Sequence, residues 1–256
     1  MHVSFVMPAH NEEALIGRSI GCIQRAMDDV CRTRGASLPS GTPPLTFEII
    51  VAADGCTDRT VEIARAAGVT VFEHDRRQIA ATRNLGARHA TGDLLFFIDA
   101  DTCVRAENLA QALDALDAGA VGGGAPFRLD GELPWHVRGF LWALMLLFRL
   151  AKYTGGAFLF CRRDAFAKTG GWDEEFYASE EIHLANALKK QGRFVIIRSV
   201  VHTSGRKARA YPGLRVWGLM FKTIFRPSIV KNRDEMWMWY DPRKPDATDS
   251  APPPGN

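Results

Sequence analysis

The chain has 256 residues, 46% hydrophobic and 24% charged, which fits one large α/β unit able to bury a core without disulfides or structural metal. Its formal net charge of +3 is too small to argue for nucleic acid and suits anionic ligands, such as nucleoside diphosphates or an anionic lipid surface. The five cysteines, Cys22, Cys31, Cys56, Cys103 and Cys161, are scattered without a C-x-x-C pair, so neither a zinc site nor a disulfide framework is expected, and a reducing compartment is.

Val3 to Met7 reads as a strand ended by Pro8, with no basic leader ahead of it. Apolar residues at Leu15, Ile16, Ile20, Ile23, Met27 and Val30 predict a helix over Glu12 to Cys31. Gly35 to Pro44 is loop-like, Phe47 to Val51 a second strand, Asp58 to Ala67 a helix, and Val69 to Phe72 a third strand. Gln78 to His89 reads as a helix and Leu94 to Ile98 as a fourth, wholly apolar strand. Such strands between helices indicate a mostly parallel sheet covered on both faces, with functional groups gathered beyond the C-terminal strand ends. Asp54 and Asp99 fall there.

Beyond Gly119 the rhythm changes. Ala120 to Arg128 and Gly156 to Arg162 read as strands on either side of an apolar helix around Phe140 to Leu150. That apolar run is too short for a bilayer, which needs about 20 residues. Glu180 to Lys190 reads as a helix and Phe194 to Val201 as a strand. Tyr211 to Tyr240 mixes Trp217, Met220, Phe221, Phe225, Trp237, Met238 and Trp239 with basic residues, the pattern of an interfacial membrane anchor. The Pro-rich residues Asp241 to Asn256 read as a disordered tail.

Asp99-Ala100-Asp101 places two carboxylates at i and i+2 after a strand, where they can converge on Mg²⁺ or Mn²⁺ shared with substrate phosphates. Read without context, the same pair serves equally as a helix N-cap and a solvated neighbour.

Four blocks supply the context. They are Val6-Met7-Pro8-Ala9-His10-Asn11-Glu12-Glu13, then Ile49 through Asp54-Gly55-Cys56-Thr57-Asp58 to Thr60, then Ala81-Thr82-Arg83-Asn84, then Ala90-Thr91-Gly92-Asp93 through Asp99-Ala100-Asp101. With Gly155-Gly156-Ala157-Phe158 and Gly170-Gly171-Trp172-Asp173-Glu174 following, residues 3 to 205 resemble the family 2 glycosyltransferases. The resemblance implies a GT-A fold (α/β, with a Rossmann-like, mostly parallel sheet) and inverting transfer of a sugar from a nucleoside diphosphate to an acceptor hydroxyl. It also implies the roles of individual residues. Asp99 and Asp101 would hold the divalent metal, with His202 as a third ligand, and Arg206 and Lys207 would neutralise the diphosphate. Pro8, Ala9, Glu12, Asp54, Arg83 and Asp99 would line the nucleotide pocket, with Asp54 meeting the base. Ala53 and Cys56 stand where that family usually has aspartate and serine, which leaves the base open.

Ser179-Glu180-Glu181 looks like the family's E-D motif, making Glu181 the general base by position and Glu180 the second candidate. The plain alternative is that both acids favour a helix N-terminus. The organisation expected is a transferase domain over residues 1–205, with a nucleotide-sugar half at 1–101 and an acceptor half at 102–205. A basic-aromatic extension over 206–240 and a tail over 241–256 would follow. The acceptor would be lipid-linked or soluble, and the location cytoplasmic or peripheral on the inner face of the cell membrane. A degenerate, non-catalytic binding module and a nucleotidyltransferase are the rival readings; the glycine-rich phosphate loop of the latter is missing.

Overall fold

The structure, a computed structural model, describes residues 1–37, 44–131, 139, 146–206, 209, 218–219, 222–223 and 226–240. The first half alternates as expected. Strand β1 (His2–Ala9) leads to helix α1 (Ile16–Ser37), β2 (Thr46–Asp54) to α2 (Thr60–Ala66), and β3 (Thr70–His74) to α3 (Ile79–His89), before β4 (Leu94–Ile98). Short β5 (Thr102–Cys103) and α4 (Ala106–Asp117) follow, then β6 (Gly122–Gly124), β7 (Phe127–Leu129), β8 (Phe158–Arg162), α5 (Arg163–Thr169), α6 (Glu180–Lys189), β9 (Phe194–Ile196) and β10 (Val201–Thr203).

Seven strands form the main sheet in the order β3-β2-β1-β4-β8-β6-β9. Pairing is parallel from β3 through β4, antiparallel on both sides of β8, and parallel again between β6 and β9. Among the described strands of this sheet, only β8 therefore runs against the rest. One face packs on α1 and α4 through Phe5, Phe96, Phe158, Ile20 and Leu113; the other packs on α3, α5 and α6 through Phe97, Leu159, Trp172 and Leu184. Burial on both faces is why β1 and β4 carry continuous apolar runs instead of alternation.

The expected strands Ala120 to Arg128 and Phe194 to Val201 are each two strands. β6 and β9 belong to the main sheet, whereas β7 and β10 pair with one another in a second sheet of order β5-β10-β7. The two crossings occur together, with Ile197 N donating to Gly124 O at 2.9 Å and Val201 N to Pro126 O at 3.0 Å. Pro126, which has no N–H to give a ladder, sits at one break.

One further expectation changes. Cys22 on α1 and Cys103 on β5 form a disulfide, 81 residues apart in sequence with a Cα–Cα distance of 5.5 Å. Tertiary packing of α1 on β5 brings together two cysteines that spacing could not pair, so cysteine usage no longer argues for a reducing compartment. Much of the proposed anchor (Trp217, Met220, Phe221 and Phe225 included), the start of the Phe140 to Leu150 helix, Lys207 and residues 241–256 lie outside the described residues. The described end of the extension comprises two 3₁₀ turns (Pro227–Lys231 and Asp234–Met236) and α7 (Trp237–Tyr240). It packs on the protein instead of standing free: Ile229, Val230 and Met236 are buried with Phe176 and Ala178, and Tyr177 N donates to Val230 O at 2.7 Å.

Candidate active site

The ends of β1, β2 and β4 open into a cleft of about 190 Å³ whose lining includes Pro8, Asp54, Asp99, Asp101, Glu181 and Tyr240. Asp54 ends β2, and its carboxylate accepts from Arg77 N (2.7 Å), Gln78 N (2.8 Å) and Thr82 Oγ1 (2.8 Å). It thereby satisfies backbone donors at the start of α3. A carboxylate has about four lone-pair sites, so three are used inside the protein. Pro8 and Ala9 line the same wall. Glu12 is buried and ion-paired with Arg206.

Arg83 on α3 is the hub. Only 2% exposed, it donates from Nη1 to Glu180 Oε1 (2.6 Å) and from Nη2 to Asp99 Oδ1 (2.9 Å) and Gly156 O (3.1 Å). Its guanidinium lies 4.5 Å from the Trp172 ring centroid. Burial works against its charge, but Asp99, Glu180 and Glu181 more than offset this and hold its pKa above the ordinary value. Glycine at 156 leaves room for the guanidinium: a Cβ there would lie 2.6 Å from Arg83 Nη2, and the buried arginine would have to shift.

Asp99 and Asp101 both line the cleft. Asp101 Oδ1 accepts from Thr203 Oγ1 at 3.0 Å, and Oδ2 lies 3.8 Å from Arg206. Among the described residues no group of three or more His, Cys, Asp or Glu could hold a metal. Two carboxylates on an open cleft fit a cation that completes its shell with substrate phosphates, and do not fit an all-protein cage. His202, expected as third ligand, is not brought to them. Adjacent residues of a strand face opposite sides; since Thr203 reaches Asp101, His202 faces away. Burial and the charges of Arg105, Arg128 and Arg18 lower its pKa. Arg206 does reach the site, buried between Glu12 and Asp101.

The acid pair stands at the start of α6. Ser179 before it adopts φ 63°, a left-handed conformation costing about 1–3 kcal/mol in a non-glycine residue, and common at functional sites. Glu180 is 4% exposed and committed to Arg83. Glu181 lines the cleft and keeps part of its surface open. Protein packed around it, and then the Glu180 charge, push its carboxyl up to about 8.

Sequence reasoning missed the cleft's remaining wall. Trp239 and Tyr240 of α7 line it, and Tyr240 Oη accepts from Ile79 N at 3.4 Å across the opening. Burial raises the Tyr240 pKa, which keeps its hydroxyl protonated. Their only signal in the sequence was aromatic density, which equally suggests an anchor.

The comparisons with known proteins agree with this architecture. The model of glycosyl transferase family 2 matches residues 4–168, which include Asp54, Arg83, Asp99 and Asp101 but stop short of the acid pair. Validoxylamine A glucosyltransferase of Streptomyces hygroscopicus subsp. limoneus is 33% identical over 103 residues, 38% of this chain and 20% of that protein. The low-salt glycan biosynthesis hexosyltransferase Agl6 of Haloferax volcanii is 29% identical over 131 residues, 51% of this chain and 28% of that protein. The matches thus span under a third of these relatives. Among solved structures, a Pyrobaculum calidifontis mannosyltransferase in complex with GDP-Man and Mn²⁺ superposes with a TM-score of 0.62 at 19% identity, covering 92% of this chain and 69% of that one. Glucosyl-3-phosphoglycerate synthase of Mycobacterium tuberculosis, with Mn²⁺, UDP and glucosyl-3-phosphoglycerate, gives 0.55 at 19% identity, covering 96% and 81%. At that identity the two structures speak for the fold alone, and they support the GT-A α/β architecture. Since the family model covers well over half of the chain, and the cleft's aspartates fall within it, this protein belongs to glycosyl transferase family 2.

Proposed function

We propose that this protein transfers a sugar from a nucleoside-diphosphate sugar to an acceptor hydroxyl with inversion at the anomeric carbon. The observation that carries this reading is the division of labour around Arg83. The guanidinium occupies Asp99 and Glu180, which leaves Glu181 as the ionisable acid at the cleft across from the aspartate pair. In the reaction, the acceptor oxygen bonds to the anomeric carbon as the bond from that carbon to phosphate oxygen breaks, and Glu181 takes the acceptor's proton. Asp99 and Asp101 would hold Mg²⁺ or Mn²⁺, which when bound supplies positive charge for the departing diphosphate. Arg206 is placed to hold Glu12 and Asp101 in position beside that charge. Pro8, Ala9, Asp54 and Arg83 form the nucleotide wall.

A second reading, a binding module without turnover, draws on one observation: both motif aspartates already face a guanidinium. Incubation with a panel of nucleotide sugars and Mn²⁺ separates the two. Transfer or slow hydrolysis of one donor, abolished by a chelator, supports the enzyme. Metal-dependent binding with no turnover on any donor supports the module.

A further inference from the structure

Four large hydrophobic side chains are exposed among the described residues, and three of them share one helical turn and a half: Leu146 (44%), Leu147 (62%) and Leu150 (73%). The turn is well formed, with Ala151 N donating to Leu147 O at 2.9 Å and Tyr153 N to Phe148 O at 2.7 Å. Phe148 packs edge-on against Tyr153, so the helix has an inward contact and the leucines form its outer side. Single exposed leucines need no explanation, but clustered ones do.

The charged side chains described on this stretch and on the neighbouring end of α6 are basic. Arg149, Lys152 and Lys190 are exposed. Lys189 of α6 donates to Ala151 O at 3.0 Å, with its ammonium 3.6 Å from the Tyr153 ring centroid. None of these four cations is paired with a carboxylate among the described residues, whereas Arg32, Arg59, Arg65 and Lys168 each meet an acid. Burial, and then the Lys152 charge, hold the Lys189 ammonium below its ordinary pKa. Exposed leucines beside uncompensated cations match a surface that is anionic at the headgroups and apolar beneath them. From Lys152 the chain runs in four residues to Gly156, which lines the cleft and accepts from Arg83.

We propose that residues 146–152, with Lys189 and Lys190, form a docking surface for an anionic lipid bilayer, which holds the cleft against acceptors carried at that surface. The docking stands on the patch itself; its bearing on the acceptor rests on the transferase reading above. No described helix is long and apolar enough to cross a membrane, and the proposed contact is a surface one.

The test is vesicle co-sedimentation of the full chain, without donor or metal, so that its outcome is independent of turnover. Phosphatidylcholine vesicles with about 30 mol% phosphatidylglycerol are compared with phosphatidylcholine alone. The wild type is expected to bind the anionic vesicles and to lose binding on going from about 0.05 M to 0.5 M salt. Leu146→Ser/Leu147→Ser/Leu150→Ser, and separately Arg149→Glu/Lys152→Glu, should each weaken binding by about tenfold or more, with unchanged melting. Equal binding by the leucine variant overturns the proposal, as does a wild type that ignores both vesicle types. A wild-type dimer that the leucine variant converts to monomer in lipid-free solution also overturns it, since a second copy of the chain would then be what covers the patch.

Discussion

Glu180 accepts a hydrogen bond from the buried Arg83 guanidinium, whereas Glu181, one residue on, faces the cleft with its carboxyl pushed up to about 8, by burial first and the Glu180 charge second. Glu181→Gln keeps the shape and removes the proton acceptor, so turnover should fall by about 10²–10⁴ with donor affinity nearly unchanged. Glu180→Gln should act differently, because it removes one of the two carboxylates paired with a buried cation: a loss of about 1–3 kcal/mol in chemical denaturation is expected. If Glu180→Gln is stable and inactive while Glu181→Gln keeps its turnover, the two roles are reversed. The raised carboxyl also has a pH signature. Its folded pKa exceeds the ordinary carboxylate value, so its stabilising contribution is complete below that ordinary value and is lost as pH rises through about 8. Thermal melts between about pH 5 and pH 8 should therefore fall more steeply for the wild type than for Glu181→Gln; parallel curves would remove the shift. None of this was legible in the sequence. Position alone nominated both acids, and the partner that distinguishes them lies 97 residues from Glu180. His202 shows the same limit at finer grain, since a one-residue step along β10 turns a side chain to the opposite face.

At the scale of elements, the sequence was informative where burial was complete. Leu94 to Ile98 was bounded correctly because all five residues are buried and Asp99 follows at once. It was less informative where a strand changes sheets: Pro126 and the polar pair Arg198-Ser199 stand at the two breaks, but each is too short an interruption to reveal from sequence that the pairing partner changes. At the aromatic end of the chain the sequence is ambiguous for a related reason: Trp237, Met238 and Trp239 look the same whether they face lipid or a neighbouring loop, and in the structure they pack beside the buried Met236. Because Met236 is 1% exposed beneath this segment, Met236→Ala should cost about 2–5 kcal/mol and loosen the wall formed by Trp239 and Tyr240. An unchanged melting curve would show that the segment does not depend on this contact. The link between α1 and β5 is testable in the same way. Reduction of the Cys22–Cys103 bond, which closes a long loop, should lower stability by about 2–4 kcal/mol; identical unfolding with and without reductant would argue against the pairing.

Across the whole molecule, the parallel strands deliver Ala9, Asp54 and Asp99 to one edge, and β10 and α6 bring Thr203, Glu180 and Glu181 to it from the second half. The central claim is that Asp99 and Asp101 hold a divalent cation there together with a nucleoside diphosphate. Calorimetric titration of UDP and of GDP, with Mn²⁺ and with chelator, into the wild type and Asp101→Ala tests it most directly. The account predicts metal-dependent binding of at least one nucleotide by the wild type, its loss in Asp101→Ala, and the same melting temperature for both proteins. Metal-dependent affinity that is unchanged in Asp101→Ala would contradict it.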